Sequence, residues 1–102
     1  MSDLRQAQKV LVKRILEGDG KASPSDRRAA FNNSGVAEPL RRLVDKVAKD
    51  AYRITDEDVT AAKVSGLSED QVFEIAVCAA VGQATRQYET ALAALKEATG
   101  KE

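Results

Sequence analysis

Between Ser68 and Leu95 the chain reads SEDQVFEIAVCAAVGQATRQYETALAAL, its longest stretch with apolar residues at helical spacing. At roughly 100° per residue, Val72, Phe73, Ile75, Ala76, Val77, Ala79, Ala80 and Val81 cover nearly the whole circumference. That pattern predicts a helix buried on most sides, around which the remaining chain packs. Beyond Gly82 it narrows to a stripe, with Ala84, Tyr88, Ala91, Leu92 and Leu95 expected inward and Gln83, Arg86, Gln87 and Thr90 outward. Ser68 and Gln71 have the spacing of a capping box, in which each side chain satisfies the other's backbone N–H, so the helix is expected to open at Ser68 or Glu69. Gly82 lowers helix propensity by about 1 kcal/mol relative to alanine. Phe73, Val77, Ala80, Ala84, Tyr88, Ala91 and Leu95 nevertheless keep one stripe through it, and a kink with helix on both sides is expected.

The same spacing places an amphipathic helix over Asp3 to Leu16, with Leu4, Ala7, Val10, Leu11, Ile15 and Leu16 on one side. Gly18, Gly20 and the Ser23-Pro24 pair end it, because glycine permits a left-handed cap and the residue before proline is pushed out of the helical region. Ser23 or Ser25 is placed to cap a short helix through Phe31, closed by Asn33, Ser34 and Gly35. Pro39 fits a first turn, and Leu40, Leu43, Val44, Val47 and Ala51 carry a helix to about Tyr52. Thr55 with Asp58 forms another capping box and opens a short helix from Asp56 to about Val64. No strand pattern appears. The sequence predicts an all-α single domain of five or six helices, with residues 1–35 as N-terminal helices and residues 36–102 as the helical core.

Composition removes several function classes. Sixteen basic and sixteen acidic residues cancel, so no net field draws the chain to nucleic acid or to an anionic membrane. There is no run of about 18 apolar residues to span a bilayer and no apolar leader segment, which predicts a cytoplasmic protein. Histidine is absent, removing the commonest general base near neutral pH, and one cysteine makes no internal disulfide. Nothing in the sequence asks for a cofactor or a metal. Asn32-Asn33-Ser34 matches a glycosylation acceptor, but without a secretory signal it reads as a polar turn. The interrupted basic run on Arg41, Arg42, Lys46 and Lys49 reads as a solvated face, and Tyr52 and Tyr88 as edges of the core.

Two residues interrupt the apolar first half of the long helix. Glu74 is a carboxylate among apolar neighbours, which needs a partner or a shifted pKa. It is a proton-transfer group at a pocket wall or one half of an ion pair with an arginine from another helix or subunit. Cys78 lies one turn on, on the same face, either as a thiol nucleophile or as a small core residue.

The segment from Ala51 to Leu95, AYRITDEDVTAAKVSGLSEDQVFEIAVCAAVGQATRQYETALAAL, resembles the carboxymuconolactone decarboxylase and alkylhydroperoxidase-D-like superfamily. The likeness runs through a short acidic-capped helix, a Gly-Leu-Ser turn and a buried helix with a glutamate near its start. In the peroxidase branch that glutamate is followed at the twelfth and fifteenth positions by a Cys-x-x-Cys pair, and then by a histidine. Counted from Glu74, those positions hold Arg86, Glu89 and Ala93. The resemblance therefore implies the fold, Glu74 and a homo-oligomer, but not the thiol chemistry. A dithiol peroxidase needs a second thiol to resolve the sulfenic acid, and Cys78 stands at neither cysteine position. The decarboxylase branch uses histidine, which this chain lacks. Arg86 and Glu89 replace the pair either as an anion clamp with a carboxylate or as a surface ion pair.

Three readings of function follow. One is a non-catalytic, oligomeric structural or interaction protein that kept the fold without the thiols. Another is an enzyme that binds a small-molecule ligand and uses Glu74 for acid or base chemistry, or Cys78 as a one-cysteine hydroperoxidase. The third, a DNA-binding helix-turn-helix over residues 59–77 with Gly66 in the turn, ranks far below the others, because its second helix opens with Glu69, Asp70 and Glu74, which phosphates repel.

Overall fold

Serine and threonine open three of the helices where the sequence places them. The computed structural model describes the backbone of residues 2–100 and the side chains of residues 5–100, so Leu4, expected inward, lies outside the described side chains. Five α-helices follow one another: α1 (Ser2–Glu17), α2 (Pro24–Asn32), α3 (Leu40–Lys49), α4 (Asp56–Val64) and α5 (Glu69–Thr99), with one 3-10 turn at Ala51–Arg53. No strand occurs among the described residues. Ser23 caps α2, accepting from the N–H of Asp26 at 3.1 Å, and Asn33 ends it in the left-handed region, where a short polar side chain is tolerated. Both capping boxes form, Thr55 with Asp58 on α4 and Ser68 with Gln71 on α5. Pro39 stands at the cap of α3 rather than inside its first turn, and α3 stops at Lys49, short of Tyr52. Tyr52 then lies on the 3-10 turn, 83% exposed, and is no part of the core.

The core has two adjoining parts. Ala22, Ala30, Val44, Ile75, Cys78 and Ala79 join α2, α3 and α5, while Leu43, Ala62 and Val72 join α3, α4 and α5. α2 lies closest against α5, so the N-terminal segment is built into the core rather than appended to it. α5 is helical without a break from Glu69 to Thr99, about 46 Å at ~1.5 Å per residue, close to the 50 Å long axis of the molecule. The radius of gyration is 15.2 Å, against about 13 Å for a compact chain of this length.

That extension overturns the expectation of a helix buried all round. Val72, Ile75, Cys78, Ala79 and Gly82 are buried on one side of α5, but Phe73 is 68% exposed, Ala80, Ala84 and Ala91 are exposed, and Leu95 is 60% exposed. Three short helices of nine or ten residues cover only one arc of a 31-residue helix. α1 fares similarly. Its last turn packs through Ile15 and Leu16, while Ala7, Val10 and Leu11 remain exposed.

A buried charged junction ties α3 to α4. Asp58 Oδ2 accepts from Lys46 Nζ at 2.8 Å and from the Thr55 N–H at 3.0 Å. The Lys46 ammonium, and after it the Thr55 amide, hold the Asp58 carboxyl below its usual pKa. A carboxyl with a lowered folded pKa adds stability above its unfolded value, about 3.9, and loses it as pH falls through the folded one. The difference in urea-unfolding stability between the wild type and Asp58→Asn should therefore be full at pH 7 and shrink below about pH 4. A difference that does not change with pH would contradict this role.

Candidate functional site

The loop between α1 and α2 folds over the first turns of α5, and Glu74 is what it folds over. The backbone N–H of Lys21 donates to both carboxylate oxygens, at 3.0 and 2.9 Å, and that of Ala22 donates to Oε1 at 3.2 Å. Gln71 Nε2 donates to the Lys21 carbonyl at 2.9 Å, and Lys21 Nζ meets Asp70 at 2.9 Å. Gly20 makes the approach possible, because a Cβ there would overlap Oε1 of Glu74 and lie 3.2 Å from its carboxyl carbon. Among the described residues the carboxylate has no arginine partner, and both its oxygens are taken up by main-chain N–H groups. It caps the free N–H groups of a loop, an arrangement in which a charged acceptor is worth more than a neutral one.

Cys78 lies deeper. It is 1% exposed, and its Sγ is placed to donate to the Ile15 carbonyl at 3.7 Å, near the end of α1. Burial pushes the thiol pKa up, against the opposing pull of Arg27. A thiol held neutral and enclosed is a poor nucleophile, since the thiolate is the reactive form.

Arg27 was invisible in the sequence pattern, where it sits between Asp26 and Arg28 in a polar run. It is 5% exposed, and its Nη1 donates to the carbonyls of Ile15 at 3.1 Å and Gly18 at 2.9 Å. The Ile15 carbonyl in the last turn of α1, which lacks a helical partner, and that of Gly18 just beyond it both find one in this guanidinium. The available signal was its spacing: Arg27 precedes Ala30 and Phe31 by three and four residues, on the inward face of α2.

Arg86 and Glu89 do not form the expected ion pair. Arg86 donates through Nη1 to the Phe31 carbonyl at the end of α2, and through Nη2 to Gln83 Oε1 at 3.1 Å. Glu89 meets Arg5 of α1 at 3.5 Å. One turn before Arg86, Gly82 gives the same carbonyl its seat, because a Cβ at residue 82 would overlap the Phe31 oxygen and lie 2.7 Å from its carbon. The low-propensity residue of α5 is thus a notch for the end of α2 and not a point of breakage. Glu74 and Arg86, about 18 Å apart along one helix, serve one device without touching: they hold the two ends of α2.

Of the four candidate residues, only Glu74 and Cys78 share a neighbourhood, and each is engaged by main chain. Open surface lies elsewhere. α1 runs antiparallel to α5, as the contacts of Ile15 with Cys78 and Arg5 with Glu89 require, and between them lies a groove of about 450 Å³. Its walls are almost wholly apolar, formed by Ala7, Leu11, Val12, Val81, Ala84 and Tyr88 with Gln8 and Thr85 at the margin. Among the described residues no group of three or more acidic, cysteine or histidine side chains is placed to hold a metal ion, and no helix is long and apolar enough to cross a membrane. Compared with known proteins, the chain matches no family model, no curated protein and no solved structure.

Proposed function

We propose that this chain is a non-catalytic helical interaction protein that works as a homo-oligomer, binding through the apolar side of α5 and the adjoining α1. One observation carries the reading: Glu74, Cys78, Arg86 and Glu89 each spend their polar atoms on contacts within the fold, while the apolar face beside them is left largely uncovered among the described residues. An apolar face left uncovered on a folded domain is the kind of surface that marks an interaction site. Acid or base chemistry at Glu74 would require the Lys21 and Ala22 amides to release it, and a peroxidatic Cys78 would require α1 to open. The likeness to the carboxymuconolactone decarboxylase superfamily adds an expectation of homo-oligomers but is not needed for the reading. Light scattering at micromolar concentration is the test. A mass of at least twice 11.0 kDa is expected, and a monomer at 100 µM would reject the reading.

A further inference from the structure

The interaction face has a definite geometry. Phe73, Val77, Ala80, Ala84, Tyr88, Ala91 and Leu95 fall within an arc of about 80° on α5. Their spacing is 4, 3, 4, 4, 3, 4, the same read from either end, with Ala84 at the centre. From Phe73 to Leu95 the charged residues of α5 are Glu74, Arg86 and Glu89, and all three turn to the covered side, toward the α1–α2 loop, the end of α2, and Arg5. The stripe itself carries no charge to repel a second copy.

We propose that two copies of this chain pair through α5, antiparallel, about a two-fold axis at Ala84. This rests on the interaction-protein reading and adds the orientation, register and closure of the pair. With the axis at Ala84, Phe73 lies opposite Leu95 of the partner subunit, Val77 opposite the partner's Ala91, and Ala80 opposite the partner's Tyr88. Alanine meets alanine at the axis, each Tyr88 faces an alanine one turn away, and Phe73 and Leu95 stand at the ends. Two crossing helices that approach to about 8 Å need a small residue at the crossing itself and room for larger ones as they diverge. A parallel pair would set Glu69 and Asp70 of both copies side by side. The antiparallel pair keeps them apart, at the partner's carboxyl-terminal end where Lys96 and Glu97 balance, and opposes the two helix dipoles. A two-fold contact of this kind is self-complementary and closes at a dimer, with the α1–α5 groove of each copy flanking the seam.

The area suffices. The chain exposes 6990 Å², about 1,400 Å² more than the ~5,600 Å² of a compact monomer of 11.0 kDa. A stable interface of standard size takes about 800 Å² from each partner. Phe73, Leu95 and the exposed alanines between them contribute to that excess along the seam.

Disulfide trapping separates the register from the reading it rests on. Cys78, enclosed in the core, can stay in place. Ala84→Cys should cross-link two copies under mild oxidation, because a residue on the axis meets its own counterpart within the ~6 Å that a disulfide spans between Cα atoms. Ala80→Cys and Ala91→Cys should stay uncross-linked, their counterparts lying about 12 and 21 Å away along the axis. A mixture of Ala91→Cys with Val77→Cys should give the heterodimer. Ala84→Glu should yield a monomer with unchanged helicity. Cross-linking of all three alanine positions alike, or of Ala80 or Ala91 in preference to Ala84, in a chain that light scattering shows to be a dimer would overturn the register alone. A wild-type monomer would overturn register and reading together.

Discussion

Gly82→Ala is expected to lower the melting temperature by about 10–20 °C, although alanine is the better helix former. In an open helix the change would add about 1 kcal/mol of stability. Here the new methyl would overlap the Phe31 carbonyl oxygen and stand 2.7 Å from its carbon and 2.9 Å from its Cα. All three atoms are main chain, so no rotamer change relieves the overlap, and α2 must move off α5. That movement also withdraws the Phe31 carbonyl from Arg86 and loosens Ala30 and Ala79, which are fully buried in the same core. Overpacking of this kind costs about 1–3 kcal/mol and sometimes more. Added to a lost bond to a guanidinium, it gives a net loss near 2–3 kcal/mol after the gain in propensity, and about 4–8 °C per kcal/mol for a domain of this size. Thermal unfolding followed by circular dichroism measures it. A variant more stable than the wild type would mean that Gly82 is only a weak point of the helix, as its propensity alone suggests.

The contrast between those two accounts of Gly82 shows what the sequence could convey. Helix positions and caps were legible because they depend on neighbours three or four residues apart: Ser23, Thr55 and Ser68 cap as their spacing predicts, and α4 spans the predicted residues. Which arc of α5 is covered was not legible, since the apolar pattern is the same whether the covering helices belong to this chain or to a second copy. Phe73 and Leu95 look inward by hydropathy and are exposed in one chain. For the candidate site, the sequence marked Glu74 correctly as a residue requiring a partner, but offered an arginine because charge is visible in a sequence. Backbone N–H groups are present at nearly every residue and cannot be singled out. Arg27 was hidden for the converse reason: an arginine among charged residues reads as surface, and only the folded chain shows the carbonyls of Ile15 and Gly18 around it.

Glu74 provides the sharpest separation between a residue that holds the fold and one that does chemistry. Glu74→Ala leaves the amides of Lys21 and Ala22 without acceptors, and Ala22 is buried, so water replaces the carboxylate poorly there. Hydrogen bonds to a charged group contribute about 1.5–3 kcal/mol. With the Lys21 side of the site open to solvent, a loss of about 2 kcal/mol is expected for Glu74→Ala. Glu74→Gln is the more telling change, because it keeps the shape. Its amide oxygen still accepts from one side, but its NH₂ group then faces the Lys21 N–H, donor against donor, where Oε2 now accepts at 2.9 Å. About 1 kcal/mol is expected to be lost, with faster hydrogen exchange at the Lys21 and Ala22 amides and little change at the Phe31 end of α2, which Gly82 and Arg86 hold separately. Self-association should persist in the variant, since Glu74 lies outside the α5 stripe and its carboxylate is engaged by the α1–α2 loop. A carboxylate kept for proton transfer behaves in the opposite way. Its neutral isostere is as stable as the wild type or more so, because active-site groups are commonly held at some expense of stability. Equal or higher stability in Glu74→Gln, with unchanged exchange at Lys21 and Ala22, would therefore count against the structural role and return Glu74 to the enzyme reading.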